Sequence, residues 1–97
     1  MTDETGNPRL PGADARLVLT LYSRAGCHLC EAMREAVDRV VRATATAVRI
    51  EEIDIAGDPA LEARYGTEIP VLLVNGRKVA KYRVREAALR TMLRARA

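Results

Sequence analysis

Residues 17–30 read LVLTLYSRAGCHLC, a strand pattern followed by a loop and the start of a helix. In its first half leucine occupies every second position and valine lies on the opposite face, a pattern typical of a strand that is covered on both sides. Residues 23–26 interrupt the strand. The apolar residues then recur every three or four positions, which predicts a helix that begins at Cys27. They are Leu29, Met33, Ala36, Val37, Val40 and Val41.

The middle of the chain predicts a second strand and a short helix. Residues 48–55 are rich in β-branched side chains, which favour strands. Asp58 and Pro59 follow as an N-cap residue and a first-turn proline, so we expect a helix from there to Tyr65. Gly66 is expected to end that helix.

The last third of the chain predicts a hairpin and a third helix. Residues 69–74 are strand-like, and Asn75 and Gly76 form the dipeptide most typical of a two-residue hairpin turn. Residues 78–82 supply the returning strand, which must be antiparallel to the one before it. An amphipathic helix with a basic outer face follows from Val84.

This order of elements, βαβαββα, predicts an α/β domain. A right-handed crossover makes the first two strands parallel neighbours, and the hairpin adds an antiparallel pair, so we expect a mixed four-stranded sheet with helices on both faces. Residues 1–15 combine acids, Gly, Pro and Asn with one isolated leucine, which predicts a flexible N-terminal tail before a single domain over residues 16–97.

Composition narrows the class of protein. The chain has 97 residues with 48% hydrophobic and 30% charged, no Trp, no Phe and three Tyr, so aromatic platforms for nucleic acid are scarce. Its apolar runs are far shorter than the roughly 20 residues that span a membrane, and the first twelve residues carry no apolar signal segment. We therefore expect a cytoplasmic, soluble monomer that binds neither nucleic acid nor membranes.

The thiol inventory is the pair Cys27 and Cys30. A free thiol with a pKa near 8.5 is only about 3% thiolate at neutral pH, so a redox cysteine needs its charged form stabilised. Cys27 is expected at the positive end of a helix dipole, with Arg24 and His28 adding positive charge nearby. Cys30, one turn further on, is expected to be buried and protonated until it resolves a mixed disulfide.

Two other interpretations of the cysteines remain open. The chain lacks a second Cys/His pair, so a zinc site within one chain is not expected, but a zinc ion or iron–sulfur cluster shared between two chains is an alternative. Alternatively the pair is redox-inert and the domain is an interaction module. Residues 61–97 hold nine basic residues against three acids, and their helix would then dock an acidic partner.

Two segments carry a resemblance to a known family. Residues 22–30, YSRAGCHLC, resemble the strand-loop-helix junction of glutaredoxins, in which Tyr-Ser/Thr-Lys-x-x-Cys-x-x-Cys is usual, with Arg24 at the basic position. Residues 63–70, ARYGTEIP, are similar to the thioredoxin and glutaredoxin segment that ends in a cis-proline facing the active site. The similarity covers about residues 17–95.

The resemblance implies a thioredoxin-like fold and a thiol-disulfide oxidoreductase that reduces protein or glutathione mixed disulfides. Cys27 and Cys30 would be catalytic. Arg24, His28, Ile69 and Pro70 would contact the substrate, with Pro70 in the cis form. Glutathione is the reductant implied, and no bound cofactor or metal is expected.

Three features of the sequence depart from the family pattern. His-Leu separates the cysteines in place of Pro-Tyr or Gly-Pro. Residues 79–85, VAKYRVR, stand where glutaredoxins carry Gly-Gly and an Asp-containing helix start that holds the glutathione carboxylate. Leu21 occupies the place of the buried carboxylate of thioredoxin.

Overall fold

A computed structural model describes residues 17–96 of the chain. The predicted tail over residues 1–15 lies outside the described residues. The elements are β1 (Leu17–Ser23), α1 (His28–Arg42), β2 (Val48–Asp54), α2 (Pro59–Tyr65), β3 (Val71–Val74), β4 (Arg77–Lys81) and α3 (Glu86–Arg96).

The four strands form one mixed sheet in the order β2-β1-β3-β4. β1 is parallel to β2, while β3 is antiparallel to both β1 and β4. α1 is the crossover that a parallel pair requires. In the β3–β4 turn, Asn75 has φ 49° and Gly76 has φ 82°, as both central residues of a type I′ turn require. The predicted order and sheet are confirmed.

The sheet buries an apolar layer on each face. On one face the alternating leucines of β1 pack with side chains of α1 and α3; on the other, side chains of β3 pack with α2. The first cluster holds Leu17, Leu19, Leu21, Met33, Val37, Val40, Leu72, Val74, Leu89 and Leu93, and the second holds Ile55, Tyr65, Val71 and Leu73. Each fully buried Leu, Ile or Val contributes about 1.5–3 kcal/mol of transfer free energy. The prediction of helices on both faces is confirmed.

The short helix α2 forms where its capping residues predict it. The Asp58 side chain accepts hydrogen bonds from the amides of Ala60 and Leu61, both at 3.1 Å, and Pro59 fills the first turn. Tyr65 at its end stacks on Tyr22 of β1 with ring centroids 4.3 Å apart. This stack holds α2 against the end of β1, where the cysteine loop begins.

Gly66 follows the last residue of α2, as expected, and its own backbone stays right-handed. Its φ of −55° lies in the right-handed region, so the left-handed freedom of glycine is not used. A Cβ at this position would instead lie 2.5 Å from the carbonyl oxygen of Glu62, too close for any other residue without a backbone shift. Glycine is therefore required by close backbone approach.

Two elements begin two residues later than predicted, while the bounds of β1, β2 and β4 differ from the predicted ones by one residue. β3 begins at Val71 rather than Ile69, since Pro70 has no amide to donate to a ladder. α3 begins at Glu86 rather than Val84, because the chain still turns sharply at Tyr82, where φ is 67°. Within residues 17–96 no helix has both the length and the apolar character to cross a membrane.

Candidate active site at the start of helix α1

Cys27 is the N-cap residue of α1. Its backbone is extended, with φ −99° and ψ 110°, and its sulfur accepts a hydrogen bond from the Cys30 amide at 3.1 Å. The Cys27 carbonyl accepts the Glu31 amide at 3.1 Å, the first bond of the helix. The sulfur therefore lies at the positive end of the helix dipole, where a thiolate is stabilised. The prediction that the helix begins at Cys27 is confirmed.

The two cysteines are joined as a disulfide. Their Cα atoms are 5.2 Å apart, within the range that a disulfide spans without backbone movement. Cys30 is buried, with 3% of its surface exposed, whereas Cys27 is half-buried. Of the two sulfurs, the one on Cys27 belongs to the more accessible residue.

The cis-proline segment lies at the same edge of the sheet. The Ile69-Pro70 peptide bond is cis, as the resemblance implies. Tyr22 pairs with Val71, so Pro70 precedes β3 beside the end of β1, from which the loop leads to Cys27. Pro70 is buried and Ile69 is half-buried.

Tyr82 makes two hydrogen bonds to the cis-proline segment. Its amide donates to the Pro70 carbonyl at 2.8 Å, and its hydroxyl donates to the Thr67 carbonyl at 2.8 Å. The peptide groups of Ile69 lie between these anchors and make no hydrogen bond with any part of residues 17–96. They offer one donor and one acceptor to an extended chain.

The two predicted basic residues of the site differ in environment. Arg24 forms an ion pair with Glu62 of α2, and both side chains are about two-fifths exposed, at 39% and 38%. His28 is 99% exposed in its side chain, and its Nδ1 atom is 3.9 Å from a carboxylate oxygen of Glu31. Arg24 thus links the cysteine loop to α2, while His28 projects into solvent beside Cys27.

A polar cavity of about 350 Å³ adjoins Cys30. On its wall the buried Ser23 hydroxyl donates to Glu52 at 3.1 Å, and Arg34 donates to the other oxygen of Glu52 at 2.7 Å. Arg34 also donates to Asp38 at 3.1 Å. These charges and hydroxyls are satisfied by one another. We call this side of the dithiol the polar flank.

A second cavity, of about 300 Å³, opens on the other side of the dithiol between α1 and the β4–α3 connection. Leu29, Met33 and Ala36 line it from α1, and Tyr82 and residues 83–86 line it from the connection. We call this cavity the groove. Arg39 also lines it and donates to Glu86 at 2.8 Å.

The polar flank and Tyr82 were not identified from sequence. Ser23 ends β1, and Glu52 of the parallel strand β2 pairs with Leu21, two residues earlier in β1. The register of β1 and β2, which makes Ser23 and Glu52 diagonal neighbours, is the signal that would have brought them together. Tyr82 carries no comparable signal, because its role depends on the positive φ with which it leaves β4. Within residues 17–96 there is no group of three or more His, Cys, Asp or Glu side chains arranged to hold a metal ion.

The chain is similar in sequence and structure to known proteins. The family model described as a glutaredoxin-like domain (DUF836) matches residues 18–94. The chain belongs to this glutaredoxin-like family. The uncharacterized protein Rv0508 of Mycobacterium tuberculosis is 30% identical over 79 residues, which cover 78% of this chain and 81% of that protein.

Solved structures show the same fold. The X-ray structure of target protein XcR50 from X. campestris has a TM-score of 0.65 to this chain, with 38% sequence identity. The match covers 79% of this chain and 96% of the XcR50 chain. A mutant thioredoxin from Halobacterium salinarum is 23% identical with a TM-score of 0.59, covering 88% of this chain and 78% of that one. The glutaredoxin-like chain therefore has a thioredoxin-like α/β fold, and its dithiol motif indicates a redox function.

Proposed function

We propose that the protein is a thiol-disulfide oxidoreductase that reduces disulfides through Cys27 and Cys30. The observation that carries this proposal is the position of the Cys27 sulfur. It caps α1 and accepts a hydrogen bond from the Cys30 amide at 3.1 Å. A helix N-terminus lowers a thiol pKa and so raises the thiolate fraction at neutral pH.

The reaction transfers two electrons from the dithiol to a substrate disulfide. The Cys27 thiolate attacks one substrate sulfur, forming a mixed disulfide and releasing the other sulfur as a thiolate that takes up a proton. Cys30 then loses its proton and attacks the Cys27 sulfur, which forms the internal disulfide and releases the second substrate thiol. Two molecules of a monothiol, or one external dithiol, return the protein to its reduced form.

The open peptide groups of Ile69 supply a docking point for this reaction. An extended substrate segment that pairs with them, as an added strand does, brings its disulfide toward Cys27. Pro70 keeps its carbonyl engaged with Tyr82, so the segment stays in place during exchange. Arg24, in the loop before Cys27, and the exposed His28 after it are proposed to contact the substrate.

Glutathione is our proposed reductant, and a reducing compartment such as the cytoplasm is our proposed location. A dithiol acts as a reductant only where cellular thiols keep it reduced. Equilibrating the protein in glutathione buffers, with mass detection of the disulfide and of any glutathione adduct, tests whether glutathione exchanges with the pair. An adduct on Cys27 supports it; an unchanged pair in every buffer contradicts it.

The two serine variants test the roles of the cysteines. We expect Cys27→Ser to reduce disulfides no faster than the uncatalysed reaction. We expect Cys30→Ser to attack once and accumulate a mixed disulfide that mass spectrometry detects. Circular dichroism of both variants against reduced wild-type protein controls for folding, because both lack the internal disulfide. Undiminished turnover by Cys27→Ser would reject the proposed function.

A further inference from the structure

Exposed apolar side chains are concentrated at the groove. Leu29, at 38%, and Tyr82, at 43%, are the large hydrophobic residues that residues 17–96 leave exposed, and both line this one cavity. Single exposed apolar residues need no explanation, but two that meet beside a reactive site indicate a contact surface. Leu29 lies between the two cysteines, so anything bound there is next to the dithiol.

The groove also carries positive charge that the described part of the chain does not neutralise. Arg83 and Arg85 line it and are exposed, and neither forms an ion pair with any of residues 17–96. Arg39, on the opposite wall, is already bound to Glu86. An incoming segment with carboxylates therefore meets two arginines to which it can supply acidic partners.

Tyr82 connects the groove to the substrate segment at Ile69. Its φ of 67° is unfavourable for a residue with a Cβ atom, and its amide and hydroxyl are both used to hold residues 67–70. The ring is thereby fixed at the boundary between the two surfaces. Tyr82 thus contacts the substrate segment and also lines the groove together with Arg83 and Arg85.

We infer that the groove docks an acidic segment of a protein substrate, with an apolar side chain against Leu29 and Tyr82 and carboxylates at Arg83 and Arg85. This inference rests on the proposed function, because the segment must bring a disulfide to Cys27. Glutathione has carboxylates but no apolar side chain, so it would leave the Leu29–Tyr82 surface uncovered. The substrate class is therefore an acidic protein segment.

The test uses the prereduced full chain in single turnovers. Three peptides of equal length carry a central Cys-Leu and a disulfide to the same aromatic thiol, whose release is followed optically. Their flanking residues are Asp, Asn or Lys. A fourth peptide replaces the leucine of the acidic peptide by serine, and the mixed disulfide of glutathione with the same thiol is the fifth substrate.

We expect the acidic peptide to react about tenfold faster than the neutral one at low ionic strength, and the lysine peptide to be slowest. About 1 M salt should remove most of this advantage. The Arg83→Gln/Arg85→Gln variant should bring the acidic-to-neutral rate ratio close to one. The Arg94→Gln/Arg96→Gln variant removes the same charge from exposed positions at the far end of α3 and should keep the ratio.

Several outcomes overturn the inference. Equal rates for the three flanked peptides, or an equal loss in both arginine variants, contradict an acidic docking site. No loss on replacing leucine by serine contradicts the apolar contact. If the Arg83→Gln/Arg85→Gln variant loses more of its rate with the glutathione mixed disulfide than with the acidic peptide, the groove binds glutathione instead. Wild-type self-association that this variant abolishes assigns it to a second copy. Failure of wild-type protein to react with any substrate contradicts the proposed function as well.

Discussion

The two sides of the dithiol differ in how their charged groups are satisfied. On the polar flank, Glu52 receives hydrogen bonds from both Ser23 and Arg34. In the groove, Arg83 and Arg85 have no acidic partner among the described residues, and the apolar side chains of Leu29 and Tyr82 are exposed in the same cavity.

This difference indicates that one side of the dithiol has a structural role and the other side binds a partner. Groups that satisfy one another gain little from a new partner, because binding would first have to break existing hydrogen bonds. Groups without a partner gain the whole new interaction. The polar flank therefore supports the fold beneath the buried cysteine, and the groove is the side from which we expect a substrate to approach. Three pairs of unfolding measurements test this difference between the polar flank and the groove.

The largest effect is expected from leucines on the two sides. Leu21 is fully buried and pairs with Glu52 of the polar flank, whereas Leu29 is 38% exposed in the groove. Leu21→Ala leaves a cavity and should lower the free energy of unfolding by about 2–5 kcal/mol. Leu29→Ala should lower it by about 0.5 kcal/mol or less. Urea unfolding of the oxidised proteins measures both; equal losses would show that Leu29 is a structural residue.

A smaller effect is expected from the carboxylates of β2. Glu52→Ala leaves the buried Ser23 hydroxyl without its acceptor and takes one of two acidic partners from Arg34, at a cost of about 1–2 kcal/mol. Glu51→Ala, one residue away, removes an exposed pair with Arg49 and should cost about 0.5 kcal/mol or less. If the two variants unfold at the same urea concentration, the polar flank is not a structural network.

The smallest change in unfolding free energy is expected for Glu86, the acid in the groove that is paired with Arg39. The hydrogen bond from Arg39 holds the pKa of Glu86 below its ordinary value of 4.5. The folded state therefore binds this proton less readily than the unfolded state, so the pair stabilises the fold above pH 4.5 and its contribution is lost as the pH falls through the lower folded pKa.

Glu86→Gln should accordingly unfold slightly more easily than wild type at neutral pH, and the difference should shrink when the pH is lowered well below 4.5. About 1 M salt at neutral pH should shrink the same difference, because the pair is exposed. Urea titrations at the two pH values measure it. A difference that persists at low pH would show that Glu86 acts through packing rather than through its charge.

Much of the fold was predictable because the patterns that define it are local. The alternating leucines of β1, the capping residues Asp58 and Pro59 and the turn at Asn75 and Gly76 all predict the elements that form. Boundaries were less predictable where the backbone turns unusually. The helix α3 starts two residues late because Tyr82 adopts a positive φ that favours glycine and that no local pattern indicates.

In the candidate site, too, local features were predicted and contacts between distant residues were not. The spacing of Cys27 and Cys30 at a helix start predicted their pairing, since three residues in a first helical turn bring the sulfurs together. Arg24 was predicted as a basic residue of the site, but its partner Glu62 lies 38 positions away. No sequence pattern links two residues at that distance, because their contact depends on how α2 packs on the sheet.

Local sequence patterns were sufficient to predict the order of strands and helices and the position of the dithiol at a helix N-terminus. Hydrophobic periodicity, capping and turn propensities act between residues a few positions apart, so they can be identified along the chain. Which arginines of residues 17–96 form ion pairs, and which line the groove without an acidic partner among those residues, could be seen only in the folded structure. That distinction depends on which side chains from distant elements meet, and this is set by packing of the whole sheet and its helices.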